Sequence, residues 1–291
     1  MGSKLRAKVI GHALALMATV VLGGLLSATL VRLAPGFDAD EQELDPHLSA
    51  ESVQALRAAR HQQHDIFHFY VSYMNRAAHG DLGTSLALGQ PVRALLRDRA
   101  PLTLRLLILG LGLGWAAALT LALSAAGLRL SGYDLLTTLV SGTFLCIPAA
   151  VLALLSVLWN LPGSLAIALI VFPHIYRYAH NLLAKSYGLP HIITARAKGL
   201  AEARILLWHV IPSIAPSLLA VAGVSVSMAV GAAIPVEALC GLAGVGQLAW
   251  QAALARDLPL LVNITILVTV VTLLANSGAD VIAHMLRSRE S

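Results

Sequence analysis

The chain has 291 residues and a net charge of +5, with 57% hydrophobic and only 12% charged residues. Its mean hydropathy of +0.77 is far above that of a soluble domain of this length, so the composition excludes a soluble globular protein and indicates an integral membrane protein. The basic residues form no patch interleaved with aromatic residues, which argues against nucleic-acid binding.

Apolar runs long enough to cross a bilayer predict an all-α polytopic membrane protein with six transmembrane helices. Within the fourth run, Pro173, His174 and Arg177 shorten the clean apolar stretch to less than the roughly 20 residues that a span requires. The six predicted spans lie near 9–31, 106–128, 135–158, 164–176, 214–236 and 260–284.

These spans divide the chain into an N-terminal transmembrane helix at 1–34, an insertion at 35–100 and a five-helix core at 101–291. The basic residues predict the orientation, because cytoplasmic loops carry an excess of lysine and arginine. We expect both termini to be cytoplasmic and the insertion to be external. The basic residues that this orientation places inside are Lys4, Arg6, Lys8, Arg129, Arg177, Lys185, Arg196, Lys198, Arg204, Arg287 and Arg289.

The predicted external insertion carries three histidines at helical spacing, His61, His64 and His68. Neutral imidazole is a common ligand for nickel, copper and zinc, so this helix face is a candidate metal site. Three ligands on consecutive turns of one helix rarely converge on one ion. The favoured interpretation is therefore an exposed polar helix face, and no metal site is predicted.

A basic segment rich in small residues lies between the fourth and fifth predicted spans, near 185–212. Pro190 suits the first turn of a helix, and Gly199 can adopt the left-handed conformation that ends one. We therefore predict a short helix, a turn and a second short helix. Arg196 and Lys198 offer charge to a partner's carboxylates or carbonyls. On these residues alone, a docking site and a solvated basic cytoplasmic loop fit equally well.

Four polar side chains fall near or within the spans, where such groups are costly. Asp134 opens the third span and Glu237 ends the fifth, while Asn276 and Asp280 share one face of the sixth. They either line or gate a polar path between helices, or they form interhelical hydrogen bonds that fix the bundle. The sequence leaves both interpretations open.

The sequence contains no motif that binds nucleotide or performs catalysis. It has no Gly-x-x-x-x-Gly-Lys-Ser/Thr loop to hold ATP phosphates, no His-Glu-x-x-His and no nucleophile elbow. The chain is therefore predicted not to be an enzyme. If ATP drives its function, the nucleotide sites lie on other chains.

Residues 194–200 read Thr-Ala-Arg-Ala-Lys-Gly-Leu and resemble the coupling-loop motif of ABC importer permeases. Ala195, Gly199, Ile211 and Pro212 fall on the spacing of that motif. Further segments resemble, in order, the B-type permease subunit of the dipeptide/oligopeptide/nickel branch. They are Gly80-Asp81-Leu82-Gly83-Thr84-Ser85, Pro91-Val92, Pro101-Leu102-Thr103-Leu104, Glu237, Gly244, Gly246, Arg256-Asp257-Leu258-Pro259, Asn276 and Asp280.

This resemblance implies a type I ABC importer permease fold and a permease subunit of an ATP-driven, binding-protein-dependent importer, for peptides or similar small solutes. It implies the inner (plasma) membrane of a bacterium or archaeon. The implied partners are the lipid bilayer, a second permease of similar fold, two cytoplasmic ATPases and an external solute-binding protein, with no nucleic acid. The chain would bind no cofactor itself, because ATP and Mg²⁺ would sit on the ATPases.

The resemblance also assigns coupling to the ATPase to one set of residues: Thr194, Ala195, Arg196, Ala197, Lys198, Gly199, Glu202, His209 and Pro212. Leu242 and Ala243 stand where the family usually has an aromatic residue and a proline, which leaves the solute open. The alternatives are a permease-fold structural subunit of another membrane complex and a nickel or metal-chelate importer subunit. A secondary transporter is disfavoured, because the sequence contains no convincing internal repeat.

Overall fold

The computed structural model describes Ala18, Leu22 and residues 80–128 and 131–290, with only the backbone described for residues 128 and 287–290. The first predicted span, apart from Ala18 and Leu22, and the insertion up to residue 79 lie outside the described residues. The three histidines of the insertion lie there too. The described residues divide into two compact units, one containing residues 80–99 and 248–270 and the other residues 100–128, 131–247 and 271–290.

The described residues are almost entirely helical, and their only β-structure is one isolated bridge between Thr84 and Pro91. This confirms the all-α fold class. In chain order the helices are α1 (Val92–Leu128), α2 (Ser131–Cys146), α3 (Ala149–Leu158), α4 (Gly163–Tyr187), α5 (Pro190–Ala197), α6 (Glu202–Ile205), a π-helix (Leu206–Val210), α7 (Ile211–Leu239), α8 (Val245–Leu254) and α9 (Leu258–Glu290).

Three helical stretches in the described part of the chain are long and apolar enough to cross a membrane, namely Val92–Gly127, Glu202–Leu239 and Leu258–Leu286. They coincide with most or all of the second, fifth and sixth predicted spans. Counting α2 and α3 together as one bent span raises the number to four. The predicted count of six transmembrane helices is therefore not confirmed.

The third predicted span, 135–158, is not one straight helix. It breaks between α2 and α3, whose axes differ in direction by 96°. The cause is Pro148, which has no N–H to continue the ladder and disfavours helical backbone at the preceding Ile147. Pro148 itself has φ −58° and ψ 143°, an extended conformation, and α3 begins immediately after it.

The fourth predicted span, 164–176, is part of a longer helix, the 25-residue α4. This helix packs against α2, α3 and α7 within the second unit. Its buried face repeats about every four residues, as expected of a helix in a core. Polar neighbours allow it to continue beyond the apolar run, as described below. The residues of this face are Ile167, Val171, Ile175, Ala179 and Leu183, all at most 2% exposed.

The first unit joins a turn-rich segment at 80–91 to the start of α1, most of α8 and the first part of α9. The segment folds back on itself, since the backbone N–H of Ser85 donates to the carbonyl of Gln90 at 2.9 Å. The buried apolar residues of this unit are Val92, Leu95, Leu248, Ala252, Leu258, Leu260, Val262 and Ile264.

Candidate functional site

The basic segment between α4 and α7 has the local structure that the sequence predicts. Leu189 is extended, Pro190 occupies the first turn of α5, and α5 ends at Ala197. Gly199 follows with φ +77°, in the left-handed region. Two bonds close the turn, from Gly199 N–H to the Arg196 carbonyl at 2.9 Å and from Leu200 N–H to the Ala195 carbonyl at 3.3 Å. Such bonds satisfy the carbonyls that a helix end leaves free.

The predicted second short helix differs from expectation in how it ends. After four residues, α6 continues without a break through the π-helix into α7. Pro212 explains part of this, because it has no N–H to donate to the carbonyl four residues earlier, at Trp208. His209 lies in the π-helix, and its Nδ1 is buried without a hydrogen-bond partner within the described part of the chain. The turn therefore connects directly to a long apolar helix.

The predicted coupling residues occupy this one segment but differ in environment. Ala195 is 5% exposed and packs inward. The Thr194 hydroxyl donates to the Pro190 carbonyl at 2.9 Å, within its own helix. His209 is half-buried. The remaining members lie at the surface, namely Arg196, Ala197, Lys198, Gly199, Glu202 and Pro212.

Arg196 forms a two-point ion pair across the glycine turn. Its Nε donates to Oε1 of Glu202 at 2.8 Å, and its Nη2 donates to Oε2 at 3.3 Å. The guanidinium group also lies 5.9 Å from the ring centroid of Tyr187, the last residue of α4. Arg196 thus connects α4, α5 and α6, a role that the sequence analysis did not assign to it.

A second tie closes the base of the segment, where the hydroxyls of Ser186 and Ser213 are 2.8 Å apart. Ser186 lies near the end of α4 and Ser213 near the start of α7. This bond joins α4 directly to α7, while the Arg196–Glu202 pair joins α5 to α6. The sequence analysis missed the serine pair, because nothing in the spacing of single serines indicates that they meet.

The segment itself carries exposed apolar side chains, which the sequence analysis did not single out. Ile193 is 56% exposed on α5, and Leu207 and Trp208 are 59% and 75% exposed in the π-helix. Leu189, which immediately precedes α5, is 39% exposed. Within α5, Ile192 and Ala195 are buried whereas Ile193 is exposed. The signal in the sequence was that an apolar Ile193 falls outside the buried face of a short helix.

Asp134, a candidate pathway or bundle residue, has a specific partner. The Nε2 atom of His180 lies 2.6 Å from its Oδ1, which joins α2 to α4. The His180 ring stacks on Tyr176, whose hydroxyl donates to the Thr137 hydroxyl at 2.7 Å. This polar cluster of two helices explains why α4 extends beyond its apolar run.

Glu237, near the end of α7, is completely buried and caps the start of α8. Its Oε2 accepts hydrogen bonds from the backbone N–H groups of Gly246, at 2.6 Å, and Gln247, at 3.2 Å. The Thr103 side chain contacts the same carboxyl group and accepts from the N–H of Val245 at 2.8 Å. Three backbone donors that open α8 are thereby satisfied.

The first glycine of the Gly-x-Gly pair leaves room for this carboxylate. A Cβ on Gly244 would lie only 2.2 Å from Oε2 of Glu237, far inside contact distance. The resemblance that paired Glu237 with Gly244 and Gly246 therefore has a structural basis. All of these atoms belong to the second unit.

Asn276 and Asp280 do not act as a pair. The Asn276 side-chain amide donates to the Ser227 hydroxyl of α7 at 2.9 Å, an interhelical hydrogen bond. Asp280 is exposed. This bond joins α9 to α7, so for Asn276 the geometry favours the interpretation as a bundle-fixing group. Hydrogen bonds between membrane helices stabilise a bundle by about 0.6 kcal/mol each.

Two segments that carry the family resemblance meet inside the first unit. The Ser85 hydroxyl donates to Oδ2 of Asp257 at 2.5 Å, and the N–H of Ala87 donates to the same oxygen at 3.1 Å. The Asn263 amide donates to the carbonyl of Leu82 at 2.9 Å. Asp257 is buried and also accepts from Leu260 N–H at 3.1 Å, so it caps α9 as well.

Within the described residues, no group of three or more His, Cys, Asp or Glu side chains is placed to hold a metal ion. The three histidines His61, His64 and His68 lie outside those residues. Their assignment as an exposed polar face therefore stays a prediction.

Known proteins of similar sequence are transport permeases. The oligopeptide transport system permease protein OppB of Escherichia coli K12 is 30% identical over 272 residues, covering 84% of this chain and 85% of OppB. A protein of Brucella abortus described as a peptide transport system permease is 27% identical over 274 residues, covering 82% of this chain and 84% of its own.

Solved structures give the fold. The inward-facing MetNI methionine ABC transporter includes a chain that superposes with a TM-score of 0.60, covering 67% of this chain and 97% of its own, at 17% identity. That similarity supports the type I permease fold predicted from the sequence. Residues 110–291 match the family of binding-protein-dependent transport system inner membrane components, and the chain belongs to this family.

Proposed function

We propose that this chain is one of two permease subunits that form the translocation path of an ATP-driven importer for peptides or similar small solutes. Its membership of the family of binding-protein-dependent transport system inner membrane components supports this proposal. We expect its partners to include ATPases and a solute-binding protein. The peptide assignment rests on the relatives, which are described as peptide and oligopeptide permeases. The chain itself supplies no catalysis.

One observation carries the coupling role, namely the short helix and glycine turn between α4 and α7. Gly199 has φ +77°, α5 exposes Ile193, and the two long helices that flank the segment are hydrogen-bonded to each other through Ser186 and Ser213. An exposed apolar residue on a short helix within a basic segment is suited to a groove on a partner protein. A push on α5 would then move the ends of α4 and α7, which gives alternating access with the free energy supplied by ATP elsewhere.

Purification of the tagged chain from its own membrane tests this assignment. We expect an ATPase subunit, a second permease and a solute-binding protein to be identified in the purified assembly by mass spectrometry. In proteoliposomes, peptides presented with the binding protein should stimulate ATP hydrolysis. An assembly without any ATPase would point instead to a structural subunit, and stimulation by nickel chelates alone would point to a metal importer.

The proposed orientation has a separate test, in which both termini and the coupling segment are cytoplasmic and residues 35–100 are external. Single cysteines at Ser52 and Ala203 are introduced into a chain lacking Cys146 and Cys240. Ala203 is suitable because it is exposed. An impermeant thiol reagent should label Ser52→Cys in intact cells, and Ala203→Cys only after the membrane is opened. The reverse pattern would contradict the orientation that the basic residues predict.

A further inference from the structure

Arg196 is the best-connected charged residue of the coupling segment, and its contacts are internal. Its two nitrogens reach both carboxylate oxygens of Glu202, and its guanidinium lies over the Tyr187 ring. Its side chain is 39% exposed and that of Glu202 is 51% exposed. A planar guanidinium engaged in this way has fixed orientation, which a lysine at the same position would not provide.

Lys198 provides the contrast within the same turn. It is exposed, and no ion pair or side-chain hydrogen bond to it occurs in the part of the chain that the structure describes. It lies two residues from Arg196 and carries the same charge. The two basic residues therefore differ in what holds them, although the sequence presents them as equivalent.

We propose that Arg196 is a positioning residue that braces the coupling segment, and that Lys198 supplies the basic charge that faces the ATPase. The brace spans the one backbone position in the segment with a left-handed conformation, Gly199. Without a tie across it, α5 and α6 could pivot about the turn. With the tie, a displacement of α5 is passed to α4 through Tyr187 and to α7 through Glu202. This inference rests on the proposed function and specifies how its coupling segment works.

A charge swap distinguishes a brace from a docking contact. In the purified complex, Arg196→Glu and Glu202→Arg should each reduce solute-stimulated ATP hydrolysis by about fivefold or more, which is the usual range for loss of coupling between sites. The double variant Arg196→Glu/Glu202→Arg restores opposite charges across the turn, so it should recover most of the activity. A double variant as impaired as Arg196→Glu would overturn the proposal. Activity would then depend on the charge of residue 196 itself, as expected for a direct contact with the ATPase.

Lys198→Glu is the matched control, because it reverses the same charge two residues away. We expect it to weaken ATPase co-purification, and Glu202→Arg should not rescue it. Should the swapped chain accumulate poorly in the membrane, Arg196→Gln, Glu202→Gln and their combination form a neutral cycle. In that cycle the combined loss should equal either single loss, since both variants break the same pair. Additive losses would overturn the brace.

Backbone hydrogen exchange measures whether the brace stabilises the segment in the absence of any partner protein. In the detergent-solubilised chain, each single variant should speed amide exchange across 190–205, and the swap should return it to the original rate. Unchanged exchange in the single variants would overturn the brace and leave the proposed function standing. Failure of the unmodified chain to bring down an ATPase would instead contradict the proposed function, while the exchange result would still decide whether the brace exists.

Discussion

Replacing Gly199 with valine is expected to uncouple the importer while leaving the chain in the membrane. Gly199 has φ +77°, and a Cβ built there would meet no atom within 4 Å. The cost is therefore one of backbone conformation and not of collision, about 1–3 kcal/mol for a side chain forced into this region. Because the turn is exposed, α5 can relieve that strain by rotating away from its native direction.

The expected result is a loss of ATPase co-purification and of solute-stimulated hydrolysis, with normal membrane abundance. A strain of about 1.4 kcal/mol would change the population of the native turn tenfold. Gly199→Asn should be milder than Gly199→Ala and Gly199→Val, because asparagine enters the left-handed region more readily than other residues. The order of the three variants thus reports on φ directly.

Gly188 supplies the matched control, since it is an exposed glycine at the other end of α5 with φ −84°, an ordinary helical value. Gly188→Ala should leave coupling unchanged. Equal effects at Gly188 and Gly199 would show that the segment tolerates no side chain for some other reason. Full coupling in Gly199→Val would make the segment an ordinary loop and remove the main local support for the importer assignment.

The second large effect is expected at Glu237. Truncation to alanine removes the acceptor for the N–H groups of Gly246 and Gln247, and the bond to Gly246 is buried. Hydrogen bonds to a charged group contribute about 1.5–3 kcal/mol each, and unsatisfied buried donors cost a similar amount. Glu237→Ala should therefore lower both thermal stability in detergent and membrane abundance.

Glu237→Gln separates the two interpretations that the sequence leaves open. Its amide oxygen can still accept from Gly246, so a structural cap predicts near-normal abundance and transport, with a smaller stability loss than in Glu237→Ala. A pathway role predicts normal abundance with transport abolished. Gln251→Ala, at an exposed position of α8, controls for substitution in this region. Undiminished stability in Glu237→Ala would contradict the capping role.

The polar contacts of the second unit favour the structural interpretation. His180 pairs with Asp134, Ser227 accepts from Asn276, and Glu237 caps α8. Each of these groups has a partner on another helix or at a helix start, which is how a membrane bundle accommodates polar side chains. Asp280 differs, because it is exposed.

Local features were readable from the sequence because local physics dictates them. Pro190 and Gly199 mark the start and end of α5, since proline is well suited to a first helical turn and glycine enters the left-handed region without strain. Composition indicated the membrane, because 57% hydrophobic residues with only 12% charged residues, arranged in long apolar runs, are typical of bilayer-spanning chains. The family resemblance likewise came from short local motifs, such as the one at residues 194–200.

Only the tertiary structure decided which distant residues meet. Ser85 and Asp257 are 172 positions apart and Glu237 reaches Gly246 across a turn, and neither contact follows from periodicity. The extension of α4 through His180 to Tyr187 likewise depends on a neighbouring helix, which supplies Asp134 as the partner of His180. Hydropathy windows count apolar residues along one helix, whereas the cost of a polar side chain depends on whether another helix supplies its hydrogen-bond partner. That dependence is why the same sequence could locate the spans approximately and could not determine how many cross the membrane.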